Sequence, residues 1–366
     1  MAPPVDGPAA ATGAAVGEVL VVNAGSSSLK VSLLGPGGVL RGTYDDLAAV
    51  GDAPVDAVGH RVVHGGGRAD AVVVDDAVER ELAGLADLAP LHQPPALRAL
   101  AAARERWPGA AHVACFDTAF HAVLPEAART YALPAAWRGL ADGGVRRYGF
   151  HGLSHAWAAG RAAALVPGAR RVVVAHLGAG ASLCAVVDGR SVDTTMGFTP
   201  VEGLVMATRA GDVDPGLLTW LVTHGGLTPQ QLESGLSRES GLLGLAGTPR
   251  MEEVLARAGA GDPDAVLARD VHLHRLVRLV GAMAASAGGL DALVLTGGVG
   301  ERAPALRQAL AARLGWLGVA VDPARDAAAD PGTDTDVTAD GARVRVLVVH
   351  AREDLEVDRQ VRALLG

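Results

Sequence analysis

Runs of branched apolar residues alternate with amphipathic stretches along most of this chain, which is the pattern of an α/β protein. The run EVLVV predicts a buried strand at residues 18–22, NAGSSS predicts a turn, and LKVSLL predicts a strand that returns. The same strand–turn–strand pattern recurs at residues 170–190, in RRVVVAHLGAGASLCAVVDGR. The recurrence predicts two related α/β domains.

Stretches with helical periodicity follow each of these openings. They predict helices over residues 78–88, 94–105, 154–165 and 265–287. Near the C-terminus, DALVLTGGVGERAPALRQAL predicts a strand, a glycine turn and a helix with Pro304 in its first turn. RVRVLVVHAREDLEVDRQVRALL predicts a last strand that runs into a C-terminal helix. Residues 322–340 are polar and rich in proline and glycine, and they predict a loop.

Composition limits the classes of function. With 366 residues, 49% of them apolar, two domains are expected. A formal net charge of -8 argues against binding nucleic acid or an anionic membrane, so any anionic substrate needs local positive groups. Cys115 and Cys184 have no metal-ligand spacing and predict reduced, buried thiols. Residues 1–17 predict a disordered tail without signal-peptide features, and no apolar run is long enough to span a membrane, so we expect a soluble cytoplasmic protein.

The first predicted turn contains the rarest residues of the chain. Asn23 is the only asparagine and Lys30 the only lysine, and both lie beside the Gly-Ser-Ser-Ser turn. Backbone N–H groups, hydroxyls and an ammonium in one turn can hold a phosphate. A serine-rich surface hairpin without function is the simpler alternative, but the position of the two rare residues favours a functional turn.

Two further glycine turns follow predicted buried strands, in HLGAGAS and TGGVGE. Glycine after a strand is commonly only a tight turn. Three such turns at strand ends nevertheless favour a nucleotide site between two domains.

Arginine, histidine and aspartate recur within glycine-flanked segments. Taken singly, each would be read as a buried histidine or a surface ion pair, but backbone near glycine can approach a small ligand. The segments are GHRVVHGG with Arg61, ACFDTAFH with Asp117, RRYGFHGLSH with His151 and His155, and MATRAGDVDPG with Arg209.

Together, NAGSSSLK, GHRVVHGG, FDTAFH, RRYGFHG, MGFTPVEGL and TRAGDVDPG resemble the acetate kinase family, the acetate/propionate/butyrate kinases of the actin and sugar-kinase superfamily. The resemblance runs from about Val19 to the C-terminal helix. It implies two actin-like (ribonuclease H-like) α/β domains around a central cleft. Residues 18–149 would form the N-terminal domain and residues 150–353 the nucleotide-binding domain, with helix 354–366 packing back on the first.

The resemblance also implies the reaction ATP + acetate ⇌ ADP + acetyl phosphate with Mg²⁺ or Mn²⁺, and a role for each matching residue. The catalytic set is Arg61, Asp117, His151 and Arg209. The metal would be held by Asn23 and Glu353. Substrate would contact Arg61 and His92, with the acyl group against Val63, Leu91, Phe150 and Pro200. Nucleotide phosphates would contact Ser26, Ser28, Lys30, His176, Gly178, Gly180, Gly297, Gly298 and Gly300. Valine at position 63 favours acetate over larger acids by a modest margin.

Departures from the family pattern cluster on the nucleotide side. Ala179 stands for the usual asparagine of the second glycine turn. Arg250, Met251 and Glu252 stand where the family usually has Asp, then an aromatic residue or Met, then Arg packed on adenosine, so both charges are reversed. The remaining departures are Gln93, Leu153, Ala207, Gly297 and Arg302.

Three hypotheses about the function therefore stay open. The leading one is an acetate kinase. The others are a kinase that prefers propionate or butyrate, and a catalytically weakened paralogue that binds nucleotide or acyl phosphate. The resemblance further implies a homodimer, small-molecule substrates, and neither nucleic-acid nor membrane partners.

Overall fold

The computed structural model describes residues 16–25 and 29–366 and contains two six-stranded mixed sheets. Ser26 and Ser28, and residues 1–15 of the predicted tail, lie outside the described residues. The first sheet contains β1 (Val19–Ala24), β2 (Leu29–Gly35), β3 (Val39–Tyr44), β4 (Ala57–Val62), β5 (Val72–Val73) and β6 (Ala111–Phe116). The second contains β7 (Arg171–Leu177), β8 (Ala181–Val187), β9 (Arg190–Thr194), β10 (Ala292–Thr296), β11 (Thr335–Asp336) and β12 (Arg345–Val348).

The two sheets share one topology. Their strand orders are β3-β2-β1-β4-β6-β5 and, read in the matching direction, β9-β8-β7-β10-β12-β11. In each, the first strand pairs antiparallel with the next strand of the chain and parallel with a later one. Long crossovers join the parallel strands, as parallel pairing requires. The predicted fold class, two related actin-like α/β units, is confirmed.

Thirteen α-helices are found in the described residues. They are α1 (Asp76–Gly84), α2 (Gln93–Arg106), α3 (Glu126–Arg129), α4 (Gly152–Leu165), α5 (Pro215–Thr223), α6 (Pro229–Ser234), α7 (Gly241–Ala246), α8 (Met251–Gly259), α9 (Pro263–Ser286), α10 (Gly297–Arg302), α11 (Pro304–Arg313), α12 (Pro323–Ala327) and α13 (Glu353–Leu365).

Aspartate followed by proline begins three of these helices. Asp214, Asp262 and Asp322 each accept hydrogen bonds from backbone N–H groups of the first turn, and the proline at the first helical position needs no such partner. The Asp322 cap corrects one prediction, because residues 322–340 are not only loop. They contain α12 and the short strand β11, which pairs with β12.

The C-terminal helix returns to the first sheet. It packs on β1, β4 and α4, and Val357 and Val361 are buried there against Val19 and Val21 of β1. This packing places Glu353, the first residue of α13, near the carboxyl end of β1. None of the helices in the described residues is long and apolar enough to cross a membrane.

Candidate active site

Arg61 is the centre of a hydrogen-bonded cluster at the carboxyl ends of β1, β4 and β6. Its Nη2 atom donates to Asp117 Oδ2 at 2.7 Å, and its Nε atom donates to Asp117 Oδ1 at 3.2 Å. Its Nη1 atom donates to Asn23 Oδ1 at 3.1 Å and lies 3.1 Å from Glu353 Oε2. Asn23 Nδ2 closes the cluster by donating to Glu353 Oε2 at 2.9 Å. Four of the predicted site residues are therefore brought together.

Sheet register explains why these side chains meet. Asn23 lies opposite Lys30 of β2 on one side and opposite Arg61 of β4 on the other. Burial alone would raise the pKa of Glu353, but Arg61, His176, Asn23 and Lys30 together lower it. Glu353 is therefore ionised, and its Oε1 atom accepts no hydrogen bond within the described part of the chain.

Arg209 is a partly buried cation of a different kind. Its Nη1 atom donates to the Pro200 carbonyl at 2.9 Å, and its Nη2 atom lies 3.3 Å from His92 Nε2. Burial, joined by the charges of Arg209 and Arg61, lowers the pKa of His92 to about 4, so its ring is neutral and accepts from Arg209. Burial lowers the pKa of Arg209, and no carboxylate of the described residues pairs with it. Its charge can therefore serve an anionic ligand.

His151 lies next to Arg209 at the start of α4. Its backbone is left-handed, with φ of 58°, and its ring stacks on His176 with centroids 4.4 Å apart. Gly180 lies against both functional groups: a Cβ there would be 3.2 Å from His151 Nε2 and 3.5 Å from Arg209 Nη1. The glycine leaves room between a cation and an imidazole where a small anion could enter.

The second and third glycine turns are neighbours because β7 and β10 are paired, with Thr296 opposite His176. Gly297 has φ of 80°, and a Cβ there would lie 2.8 Å from the Leu177 carbonyl oxygen, so only glycine fits this close approach. Gly298 faces open space and Gly300 is buried behind it. The structure thus brings the predicted phosphate turns of Gly178, Gly180, Gly297, Gly298 and Gly300 together.

A cavity of about 230 Å³ lies beside these turns. Arg250 and Met251 contribute to its wall, and Glu252 does not, so two of the three predicted adenosine-loop positions reach it. The other wall residues include Gly178, Ala179, Met206, Ala207, Pro249, His272 and Val299.

A second cavity, of about 430 Å³, lies beside Arg209. Its wall includes Leu91, His92, Pro200 and Arg209, while Val63 and Phe150 do not line it. Val63 and Phe150 belong instead to a buried hydrophobic cluster. Ala89 connects this cluster to the cavity, because it belongs to the cluster and also lines the cavity wall. Of the four predicted acyl-pocket residues, Leu91 and Pro200 line the cavity, and Val63 and Phe150 lie in the adjoining hydrophobic cluster.

Ser154, Ser182 and His272 also belong to the site, although none of them was predicted as a site residue. Ser154 Oγ lies 2.8 Å from His176 Nδ1, and Ser182 Oγ lies 2.9 Å from His151 Nδ1. Strand alternation offered a signal for Ser182, because it lies two residues after Gly180 and directly opposite His176. No pattern pointed to His272.

The fold and the cleft define an actin-like α/β protein with cationic and imidazole groups gathered at strand ends. The sequence model of the Acetokinase family matches residues 44–359, and the chain belongs to this family. A protein of Leifsonia xyli named acetate kinase is 46% identical, with 93% of this chain and 97% of that protein covered.

Two crystal structures share the architecture over nearly the whole chain. The acetate kinase of Porphyromonas gingivalis superposes with a TM-score of 0.86 at 33% identity, covering 96% of this chain and all of that one. The propionate kinase of Francisella tularensis superposes with a TM-score of 0.86 at 31% identity, covering 94% and 98%.

Proposed function

We propose that this protein transfers the γ-phosphoryl group of ATP to acetate, forming acetyl phosphate and ADP, and that it also catalyses the reverse reaction. The observation that supports this most is Arg209, a partly buried cation without a carboxylate partner in the described chain, next to His151 across Gly180. Family membership and the names of the relatives agree with it.

In the proposed reaction an acetate oxygen attacks the γ-phosphorus in line, and the bond to the bridging oxygen of ADP breaks. The bonding electrons leave with ADP, and no proton has to be moved. Most of the catalysis must then come from positioned charges and hydrogen-bond donors around the three equatorial oxygens. Arg209 and Arg61 would hold the carboxylate and the transferring group, and His151 would donate a hydrogen bond from Nε2.

Asp117 holds Arg61 in place by a two-point ion pair, which fixes the guanidinium plane. Because Arg61 also bonds Asn23 and Glu353, its charge is largely compensated. We infer that Arg61 chiefly orients substrate, while Arg209 carries the uncompensated charge.

The donor set near Glu353 fits a magnesium ion. Glu353 offers Oε1, an oxygen of an ionised carboxylate without another partner in the described residues, and Asn23 holds the other oxygen in place. Mg²⁺ typically takes one or two carboxylates, several waters and the substrate phosphates, so the lack of a cluster of three acidic, histidine or cysteine ligands in the described residues is compatible. When bound, the ion would neutralise the charge of the nucleotide phosphates. The charge of Lys30 acts on this carboxylate, and Lys30 would contact the same phosphates.

The nucleotide would lie along the glycine turns, with its base toward the cavity of about 230 Å³. Ala179 and Arg250 give this wall a different chemistry from the family pattern described above, which is why the phosphoryl donor must be tested. Closure of the two domains, residues 18–149 and 150–353, around the substrates would exclude water and protect ATP from hydrolysis.

A homodimer is supported by the surface of α5. This helix buries none of its residues, although it is rich in apolar side chains, and Trp220 and Leu217 are 54% and 46% exposed. Such a patch on a helix is typical of a protein–protein interface. Sedimentation of the wild-type protein and of Trp220→Glu should show a dimer and a monomer, respectively.

The buried, unbridged thiols of Cys115 and Cys184 and the net charge of -8 support a cytoplasmic enzyme that acts on small molecules and binds no nucleic acid.

The deciding experiment traps acyl phosphate with hydroxylamine, using purified protein, Mg-ATP and a series of acids. Acetate-dependent hydroxamate is expected, with lower kcat/KM for propionate and butyrate. A higher kcat/KM for propionate than for acetate would favour a kinase that prefers propionate. The similarity to a propionate kinase makes this alternative worth testing. No hydroxamate with any acid or phosphoryl donor, from protein that still binds nucleotide, would overturn the proposal in favour of the weakened paralogue.

A further inference from the structure

The side chains of His155, Ser182 and His151 form a continuous chain of hydrogen bonds. His155 Nε2 lies 2.8 Å from Ser182 Oγ, and the same oxygen lies 2.9 Å from His151 Nδ1. His155 and Ser182 are fully buried, so water does not compete for these hydrogen bonds. One hydroxyl group therefore joins two imidazole rings.

The direction of these hydrogen bonds decides the tautomer of His151. Both rings are neutral at pH 7, because burial lowers the pKa of His151 and that of His155 well below the ordinary value. A serine hydroxyl has one proton, so it donates to one ring and accepts from the other. If Ser182 donates to His151, the remaining proton of His151 is on Nε2. If it donates to His155, His151 Nε2 carries only a lone pair.

His155 Nδ1 distinguishes the two directions. This atom is buried and has no hydrogen-bond partner among the described residues. When His155 Nε2–H donates to Ser182, Nδ1 carries a lone pair. In the opposite direction Nδ1 carries a proton with no acceptor, and buried N–H groups without acceptors are rarer in folded proteins than under-used acceptors.

We infer that His155 and Ser182 are positioning residues that hold His151 in the tautomer with its proton on Nε2. The hydrogen bonds run from His155 Nε2–H to Ser182 Oγ, and from Ser182 O–H to His151 Nδ1. This inference rests on the proposed function for its purpose, since phosphoryl oxygens only accept hydrogen bonds. A His151 with a bare Nε2 would repel them.

The backbone of His151 is held by separate contacts. His121 Nε2 donates to the Phe150 carbonyl at 3.1 Å, and Gly152 N donates to the Asp117 carbonyl at 2.8 Å. Loss of the Ser182 hydroxyl should therefore change the proton position on His151 more than the position of its ring. This separation allows a test that a purely structural role would not pass.

The test combines histidine NMR with steady-state kinetics on the full-length protein. Long-range ¹H–¹⁵N spectra of protein with ¹⁵N-labelled histidine report the tautomer of each ring, and the His151→Gln variant assigns the His151 signals. Wild-type His151 should show the Nε2–H tautomer. Ser182→Ala should show a mixture of tautomers and a kcat lower by about tenfold or more, with both KM values little changed.

Two further variants control the experiment. His155→Gln keeps a side-chain N–H that can reach Ser182 and should retain more activity than His155→Leu. Ser191→Ala removes a buried hydroxyl that lies 2.9 Å from a different ring, at His121 Nδ1, and should leave the His151 tautomer unchanged.

A wild-type His151 with its proton on Nδ1 would overturn the inference. An unchanged kcat in Ser182→Ala would also overturn it. The NMR result does not depend on turnover, so an Nε2–H tautomer in a protein that makes no acetyl phosphate would support the hydrogen-bond direction while the proposed function failed.

Discussion

Asn23 and Lys30, the only asparagine and the only lysine of the chain, are direct cross-strand partners in the β1–β2 pair. Directly opposite residues share a face of the sheet, and Arg61 of β4 continues the row on the other side of Asn23. The charge of Lys30 and the amide of Asn23 both act on Glu353. The two rare residues thus lie in one polar row at the mouth of the cleft, where another residue type would change the charge or the hydrogen bonding.

Replacing Lys30 with alanine should raise the KM for ATP by about tenfold, because the ammonium group proposed to contact the phosphates is lost. Lys30→Arg keeps the charge and should recover most of the affinity. Initial rates at varied ATP and saturating acetate measure the effect. Unchanged kinetic constants would make the β1–β2 turn a surface feature without function.

Arg209→Ala should lower kcat/KM by at least about 100-fold, since the variant loses the cation proposed to stabilise transition-state charge. The folded state should survive, because Arg209 has no carboxylate partner in the described residues that would be left behind. Arg313→Ala, an exposed arginine of α11, is the matched control and should behave like the wild type. If Arg209→Ala turned over normally, the charge assignment would be wrong.

Glu353→Gln should raise the Mg²⁺ concentration that gives half-maximal activity by about tenfold or more, because the proposed anionic ligand becomes neutral. The control is Asp354→Asn. Asp354 is the adjacent carboxylate, and it pairs with Arg352 at 2.8 Å instead of facing Arg61. Equal Mg²⁺ dependence in both variants would remove Glu353 from the metal site.

Val63→Ala should shift the ratio of kcat/KM for propionate and acetate toward propionate by about tenfold, which corresponds to a change of ~1.4 kcal/mol. Val63 is buried behind the wall of the larger cavity, so the smaller side chain should let that wall recede. Val174→Ala, a buried position of the other sheet, controls for a general loss of packing. An unchanged ratio would mean that Val63 does not set acyl size.

Acid should destabilise the fold through its buried histidines, and His272 provides a clean test. Burial lowers the pKa of His272 from 6.5 to about 4, despite its hydrogen bond to the Val205 carbonyl. The unfolded chain therefore takes up a proton below pH 6.5 while the folded chain does not. The contribution of His272 to the free energy of unfolding is therefore complete above pH 6.5. It is lost as the pH falls toward 4, at about 1.4 kcal/mol per pH unit.

His272→Phe should remove this dependence. Between pH 7.5 and 5.5, the free energy of unfolding should fall by about 1 kcal/mol less in the variant than in the wild type. Urea titrations at the two pH values measure the difference. Equal losses of unfolding free energy in the variant and the wild type would show that His272 has the same pKa in the folded and unfolded chains.

Much of the fold could be predicted from local patterns. The repeated strand–turn–strand openings correctly indicated two related sheets, and the helix predicted at residues 265–287 is α9, Pro263–Ser286. Its start was missed by two residues because the Asp262 cap and Pro263 extend it. The strand β11 was missed because two residues carry no periodic signal, and only pairing with β12 defines them.

The site was less accessible to sequence reasoning because its contacts are distant in the chain. Asn23 and Glu353 are 330 positions apart, and nothing local to REDLEV indicates that its glutamate bonds to the first strand. That pairing was expected only through the family resemblance. Ser182 was missed for a different reason: strand alternation places it on the face of Gly180, but only the structure shows that its hydroxyl joins the rings of His151 and His155.

Phosphorylation of acetate by ATP is tested most directly by ³¹P NMR of purified protein with Mg-ATP and acetate. We predict an acetyl phosphate resonance that grows with ADP in equal amounts, requires acetate, and fails to appear with Arg209→Ala. ADP accompanied only by inorganic phosphate, or no change in the ATP resonances with active-site residues intact, would contradict the account.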